Sequence, residues 1–425
     1  AMLCIRINTL LRGHSGIRVR TLQALAAMLD AGVVPVVPQL GSVGASGDLA
    51  PLSHLAIVLI GGGEAFFGGE RLTGGEALRR AGLQPVELTI KEGLALNNGT
   101  AQMLATGVLA LAKLEHLLDT ADLAAAMTLD AFAGRLGAYA EEVHALRPHP
   151  GQVHVAARMR ALLAGSTLAD IAYDRVRGKK VQPQDSYSLR CVPQVHGAVR
   201  DAVAQAARVL EIELNAVTDN PLVFPEAVDA PLDRQVISAG HFHGMPLALA
   251  MSYVKAAIPV LASISERRLN KLVDPATSDG LPGFLVGNED GTESGFMIVQ
   301  YTAAAIVNDL ASRAMPASVY SIPTSANAED HVSMGANEAR HVLAMVADLG
   351  KVLALELMTA AQALDLRLRM VEGEAHPGRA VAAAHAAIRE RIAFLDRDRA
   401  LDGDVAMALR MVADGDVLAA ARAAL

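Results

Sequence analysis

The stretch GSVGASGDLAPLSH, residues 41–54, decides how this chain is read. Small, flexible residues, Gly44-Ala45-Ser46-Gly47, run straight into an acid, Asp48, and then into Leu-Ala-Pro-Leu. A Gly/Ser cluster before an apolar helix is ordinarily a loop with an N-cap, and Asp48 can cap the helix that follows. A phosphate cradle needs a Gly-Lys-Ser/Thr ending after a strand, and neither is present here. A nucleophile elbow needs Gly-x-Ser-x-Gly, whereas here glycine follows the serine directly. Another reading uses the backbone itself. In a tight Ala-Ser-Gly turn the Gly47 nitrogen can reach the carbonyl carbon of Ala45, because glycine tolerates the compression. Cyclisation with loss of two waters leaves a five-membered imidazolone and turns Ser46 into a dehydroalanine. The product is an electrophile, which no ordinary side chain supplies.

The rest of the chain bounds the setting. Its 425 residues can bury a large core. They are 52% hydrophobic but only 3% aromatic, a balance of Ala, Leu and Val that favours packed helices over a β-sandwich. A net charge of -8 argues against a nucleic-acid surface. Cys4 and Cys191 are too few and too far apart for a disulfide framework or a four-thiolate zinc site, which suggests a reducing, cytoplasmic setting. No stretch reads as long and uncharged enough to span a bilayer. The nearest candidate, YVKAAIPVLASISERR, contains Lys255 and Pro259. The chain opens directly in helical periodicity without a capping residue, as if in the middle of an element.

Periodicity gives an all-α protein with a smaller, loop-rich front part. Two helices broken at RGHSG occupy the first 35 or so residues. EAFFGGERLTGG, between Glu64 and Gly75, is the one convincing β signal, a hairpin turning at Gly-Gly. Long Ala-rich helical runs begin near Asn98 and cover roughly 196–217, 243–272, 296–314 and 335–369. Their apolar residues extend around much of the circumference, the pattern of a buried bundle or a subunit interface. We divide the chain into residues 1–103, carrying the Ala-Ser-Gly loop, and a helical bundle over 104–425.

Residues 41–52 match throughout the signature G-[ST]-[VL]-G-A-S-G-D-L-x-P-L of the histidine and phenylalanine ammonia-lyase family, which this chain resembles, most closely in its histidine-specific branch. The resemblance continues, in the family's order, through RINTLLRGHSGIR, EGLALNNGT, DSYSLRCVPQVHG, ELNAVTDNPLVF, LPGFLV and SIPTSANAEDHVSMG. It implies the long-helix bundle of the aspartase/fumarase-like superfamily. It also implies a 4-methylidene-imidazol-5-one built from Ala45, Ser46 and Gly47, with no metal and no diffusible cofactor.

Residue by residue, the resemblance assigns Asn98 to the ring carbonyl and Asp48 to ring formation. Tyr187 would line the ring, and Arg190 would clamp the substrate carboxylate, a task suited to a planar bidentate donor. Gln184 would contact substrate, and Phe242 would shape the ring pocket. Glu329, in the Glu-Asp-His of the histidine branch, would take a proton from the substrate ammonium or hold an imidazole. His241 and His243 form an H-x-H pair that by itself suggests a metal, but it has no evident third ligand. Ala328, His241, Tyr320 and Asn97 depart from the histidine pattern, where Gln, Asn, Asp and an apolar residue are usual.

The activity implied is non-oxidative loss of ammonia from an aromatic L-amino acid, foremost L-histidine to trans-urocanate. Phenylalanine or tyrosine as substrate, a 2,3-aminomutase, and an inactive helical scaffold with an unprocessed loop are the alternatives. The resemblance also implies a homotetramer with sites shared between subunits, and no nucleic-acid or membrane partner. The family's catalytic tyrosine and the residues selecting the aromatic side chain match positions upstream of Ala1, so neither role is assigned here.

Overall fold

The computed structural model describes residues 1–179, 182–286 and 291–425 and is predominantly helical. The longest helices among the described residues are Ala101–Phe132, Val192–Leu214, Met245–Val273 and Gly335–Met370. Each lies where the apolar periodicity predicts, three of them with ends a few residues away, since termini are set by local caps; the first, whose helical pattern reads on to Val143, stops at Phe132, where Ala133 turns left-handed at φ 53°. The all-round apolar character has its expected consequence in the 101–132 helix. Every residue from Thr120 to its end is buried.

The chain forms two compact units, each assembled from separate stretches. The first comprises Ala1–Leu111, Gln205–Lys255 and Met315–Leu343. It opens with Met2–Leu11 and Val19–Asp30, separated by Gly13 and Gly16 as predicted. The hairpin also forms, Glu64–Phe67 against Glu70–Thr73, turning at Gly68 and Gly69 with φ of 59° and 84°. Positive φ at both turn residues is what a two-residue hairpin requires. It is not the only β structure. Val34–Pro35 adds an antiparallel edge, and Leu222–Val223 pairs with Val236–Ile237. Strands of two residues are too short to alternate, so periodicity does not reveal them.

The second unit comprises Ala112–Ala204, Ala256–Ala314 and Ala344–Leu425. Its apolar core is threaded by a chain of satisfied polar groups. Buried Glu356 accepts from Thr128 Oγ1 at 2.9 Å, Ser265 Oγ at 2.5 Å and Arg268 Nε at 2.6 Å. Arg268 Nη1 meets His196 Nε2 at 3.3 Å, and His196 Nδ1 meets Asp122 Oδ1 at 2.8 Å. Burial pushes the His196 pKa down, which favours the neutral ring. A neutral ring with its proton on Nδ1 donates to Asp122 and accepts from Arg268, so both contacts are satisfied.

The Met245–Val273 helix corrects one expectation. By length and composition it is apolar enough to cross a membrane, which the shorter segment read from the sequence was not. Half of its most apolar window is buried inside the protein. Lys255, buried within it, pairs with buried Glu338 at 3.0 Å.

Removing one partner of a buried ion pair leaves the other charge uncompensated, at about 3–5 kcal/mol. Glu356→Ala is therefore expected to lower the unfolding free energy by that order, read as a lower denaturant midpoint with an unchanged slope. An unchanged midpoint would contradict the role given to this network.

Candidate active site

The 41–48 loop lies in the first unit and is clamped from two sides. On one side its backbone meets the Asn98-Gly99 turn. Asp48 N donates to Gly99 O at 2.7 Å, Gly99 N donates to Ser46 O at 3.4 Å, and Gly47 and Gly99 form an isolated parallel bridge. Gly47 has φ of 70°, and a Cβ there would sit 2.2 Å from the Gly99 oxygen. Position 47 admits only glycine, on both conformational and steric grounds. On the other side Met334 N donates to Val43 O at 2.9 Å, Ser333 Oγ donates to Gly44 O at 3.2 Å, and Ala45 packs against Val332 and Met334.

Asp48 is fully buried under this loop. Its Oδ2 accepts from the Gln102 and Met103 amides at 2.8 and 2.9 Å, the first turn of the 101–132 helix. Its Oδ1 accepts from Ser42 Oγ at 2.9 Å. Asp48 thus precedes the Leu49–Leu59 helix while its side chain serves the start of another. Burial pushes its pKa up to about 6 against the pull of those donors.

One more predicted site residue bonds to the loop and another adjoins the turn that clamps it. Ser46 Oγ donates to Glu329 Oε1 at 2.9 Å, although 283 positions separate them in sequence. Asn98, adjoining Gly99, is buried; its Nδ2 donates to Asn220 O at 2.9 Å, and its Oδ1 has no hydrogen-bond partner. Phe242 is half-buried in the same unit. Beside it, His243 Nδ1 accepts from Met245 N at 3.3 Å, which leaves the proton on Nε2 to donate to His331 O at 3.1 Å. Both nitrogens of this member of the H-x-H pair are therefore engaged. Among the described residues no group of three or more His, Cys, Asp and Glu side chains is placed to hold a metal ion.

Tyr187, Arg190 and Gln184 belong to the second unit. Their spacing takes effect as the one-turn helix Tyr187–Arg190, which sets the Arg190 guanidinium 4.7 Å above the Tyr187 ring. All three side chains line a cavity of about 460 Å³. Arg190 Nε has no hydrogen-bond partner, and Tyr187 is exposed.

The motifs quoted from distant parts of the chain are joined by direct bonds. Buried Arg6 donates from Nη1 to Thr218 O at 2.9 Å and from Nε to Ala95 O at 2.9 Å. Lys91 Nζ pairs with buried Asp219 at 2.7 Å. These contacts tie residues 6–18, 92–100 and 213–224 behind the Asn98-Gly99 turn. Ser42, Asn220 and Thr324 escaped the sequence reading. Each acts through one hydroxyl or carbonyl, and such contacts leave no periodic trace.

A family model described as aromatic amino acid lyase matches residues 1–390. A histidine ammonia-lyase from Symbiobacterium thermophilum is 51% identical over 423 residues, 100% of this chain and 80% of that protein. Among solved structures, a histidine ammonia-lyase from Trypanosoma cruzi superposes with a TM-score of 0.88 at 37% identity, covering 100% of this chain and 77% of that one. A tyrosine aminomutase from Streptomyces globisporus gives 0.89 at 36% identity, covering 100% and 80%. The clamped Ala-Ser-Gly loop thus sits in a chain matched along most of its length, and that chain belongs to the aromatic amino acid lyase family.

Proposed function

We propose that this ammonia-lyase acts on L-histidine, giving trans-urocanate and ammonia, with Ala45, Ser46 and Gly47 cyclised into 4-methylidene-imidazol-5-one. The observation that carries the proposal is the Ser46–Glu329 contact on a loop whose glycine is pressed against another backbone. The half-identical relative named histidine ammonia-lyase supports histidine as the substrate.

The residues present fit the ring. Attack of the Gly47 nitrogen on the Ala45 carbonyl carbon needs a compressed backbone. The left-handed Gly47 and its contact with Gly99 favour that compression. Asp48, with a pKa of about 6, can exchange a proton beside the loop near neutral pH, which suits a supporting part in ring formation. Once formed, the ring supplies an electrophilic carbon at position 46 that makes a poor leaving group a better one. We assign the chemistry no metal and no diffusible cofactor.

The assigned residues of this chain supply part of the rest. Elimination breaks the Cα–N bond and passes one β-hydrogen, as a proton, to a base that matches the family's catalytic tyrosine and is assigned to no residue here, leaving ammonia and a trans-2,3-unsaturated acid. Glu329 takes a proton from the substrate nitrogen: its Oε1 lies 2.9 Å from the Ser46 hydroxyl, which leaves as water when the ring forms, so the carboxylate then faces the carbon at position 46. Arg190 holds the substrate carboxylate in a bidentate pair, and the Tyr187 ring beneath it steadies the guanidinium plane. Gln184 adds a polar contact in the same cavity. Asn98 serves the ring carbonyl, and Phe242 walls the ring pocket.

The aminomutase of similar fold favours one second reading, in which the released ammonia returns to the β-carbon. A β-amino acid product would distinguish it. We further propose a cytoplasmic homotetramer with sites shared between subunits. Leu249, Tyr253 and Val260 support it: they lie along one face of the 245–273 helix, apolar yet about half exposed. The two cysteines, both free thiols, fit a reducing compartment.

Ser46→Ala should abolish the near-ultraviolet absorbance of the ring together with turnover of L-histidine followed at urocanate's own band. Full turnover in that variant would overturn the proposal. Glu329→Gln should keep the ring absorbance while kcat falls by about 10²–10⁴. Arg190→Met should act chiefly on KM for L-histidine, by roughly 10-fold or more.

A further inference from the structure

We infer that Thr324 is a positioning residue for Glu329, fixing which carboxylate oxygen faces position 46. The inference rests on the role given to Glu329 above. Thr324 and Glu329 close a short strap on themselves. Thr324 N donates to Glu329 O at 3.0 Å, and Glu329 N donates to Thr324 O at 3.3 Å. Between them Ser325, Ala326 and Asn327 all have left-handed φ, at 53°, 52° and 68°. Three consecutive residues other than glycine in that region are strained, and such a turn persists only where its surroundings over-determine it.

The strap has one side-chain contact of its own, and it falls on the functional group. Thr324 Oγ1 lies 2.9 Å from Glu329 Oε2, and an ionised carboxylate only accepts, so the threonine hydroxyl donates. With Oε2 occupied, Oε1 is the oxygen turned to Ser46 Oγ at 2.9 Å. The last torsion of a glutamate is broad and nearly two-fold, so without a donor on one oxygen the carboxylate plane is loosely set. Thr324 removes that freedom. The chain beyond the strap is tied as well. Val332 N donates to Ser321 Oγ at 2.9 Å, His243 holds His331 O, and Met334 N holds Val43 O. Glu329 is thus presented by a rigid turn rather than by a free loop.

The test uses the full enzyme with its ring absorbance intact. Thr324→Val should lower kcat by about 10- to 100-fold, the loss expected for a hydrogen bond to a charged group, with KM changed far less. Thr324→Ser should restore most of the activity, and Thr324→Ala should behave as the valine variant does. Calorimetry with two unreactive probes separates positioning from mere structure. L-histidinol keeps the ammonium and should bind Thr324→Val more weakly, whereas trans-urocanate has no ammonium and should bind it as before. Equal weakening of both probes, or equal loss in the serine and valine variants, would overturn the inference. Full turnover in Glu329→Gln would instead remove the role of Glu329 itself, and a normal Glu329→Gln loss beside unimpaired Thr324→Val would remove this inference alone.

Discussion

The contact on which the rest depends is backbone against backbone: Gly47 pressed onto Gly99, with the Asp48 amide donating to the Gly99 carbonyl at 2.7 Å. A side chain at either position has nowhere to go, since a Cβ on Gly99 would meet the Thr218 carbonyl at 2.5 Å. Two buried charged groups of the first unit hold these turns. Arg6, buried and pairing with backbone carbonyls of two distant segments, stiffens the Gly99 side. Asp48 stiffens the loop side by accepting from the first amides of the 101–132 helix. Buried charges are costly unless hydrogen-bonded, so each of these groups constrains as it is satisfied.

That arrangement explains why one short motif can carry so much chemistry. A loop compressed by its neighbours needs no added cofactor to become reactive if its own peptide units can cyclise. The same loop sets position 46 against the Glu329 carboxylate, which in the proposed function is the group that meets the substrate nitrogen. In the proposed function the clamp thus links the fold to the ring and to the elimination. The second unit answers a different demand. Its polar chain through Glu356, Arg268 and His196 satisfies buried groups within long apolar helices, and its one-turn helix sets Arg190 over Tyr187.

Much of this was legible in the chain. The long helices follow from apolar periodicity and the Gly68-Gly69 hairpin from turn chemistry, whereas the Ala-Ser-Gly stretch, ordinarily a capped loop, is singled out only by the family signature around it. Part of what escaped depends on contacts over great sequence separation. Asn220 receives the Asn98 amide across 122 positions, and Ser333 meets the Gly44 carbonyl across 289. The two-residue strands are too short to show a period, and each compact unit draws on three separate stretches, which no left-to-right reading lays out. Thr324 was hidden for another reason. Its significance lies in the left-handed run that follows it, and Ser-Ala-Asn carries no glycine to announce such a turn.

The central claim is that the clamped tripeptide condenses on itself, and the mass of the unmodified-sequence enzyme, taken intact after purification under native conditions and then denatured, tests it most directly. Condensation predicts a chain lighter than its sequence by two water molecules, with the deficit confined to the peptide containing residues 45–47. A mass equal to that of the sequence, in material that still releases ammonia from L-histidine, would contradict it.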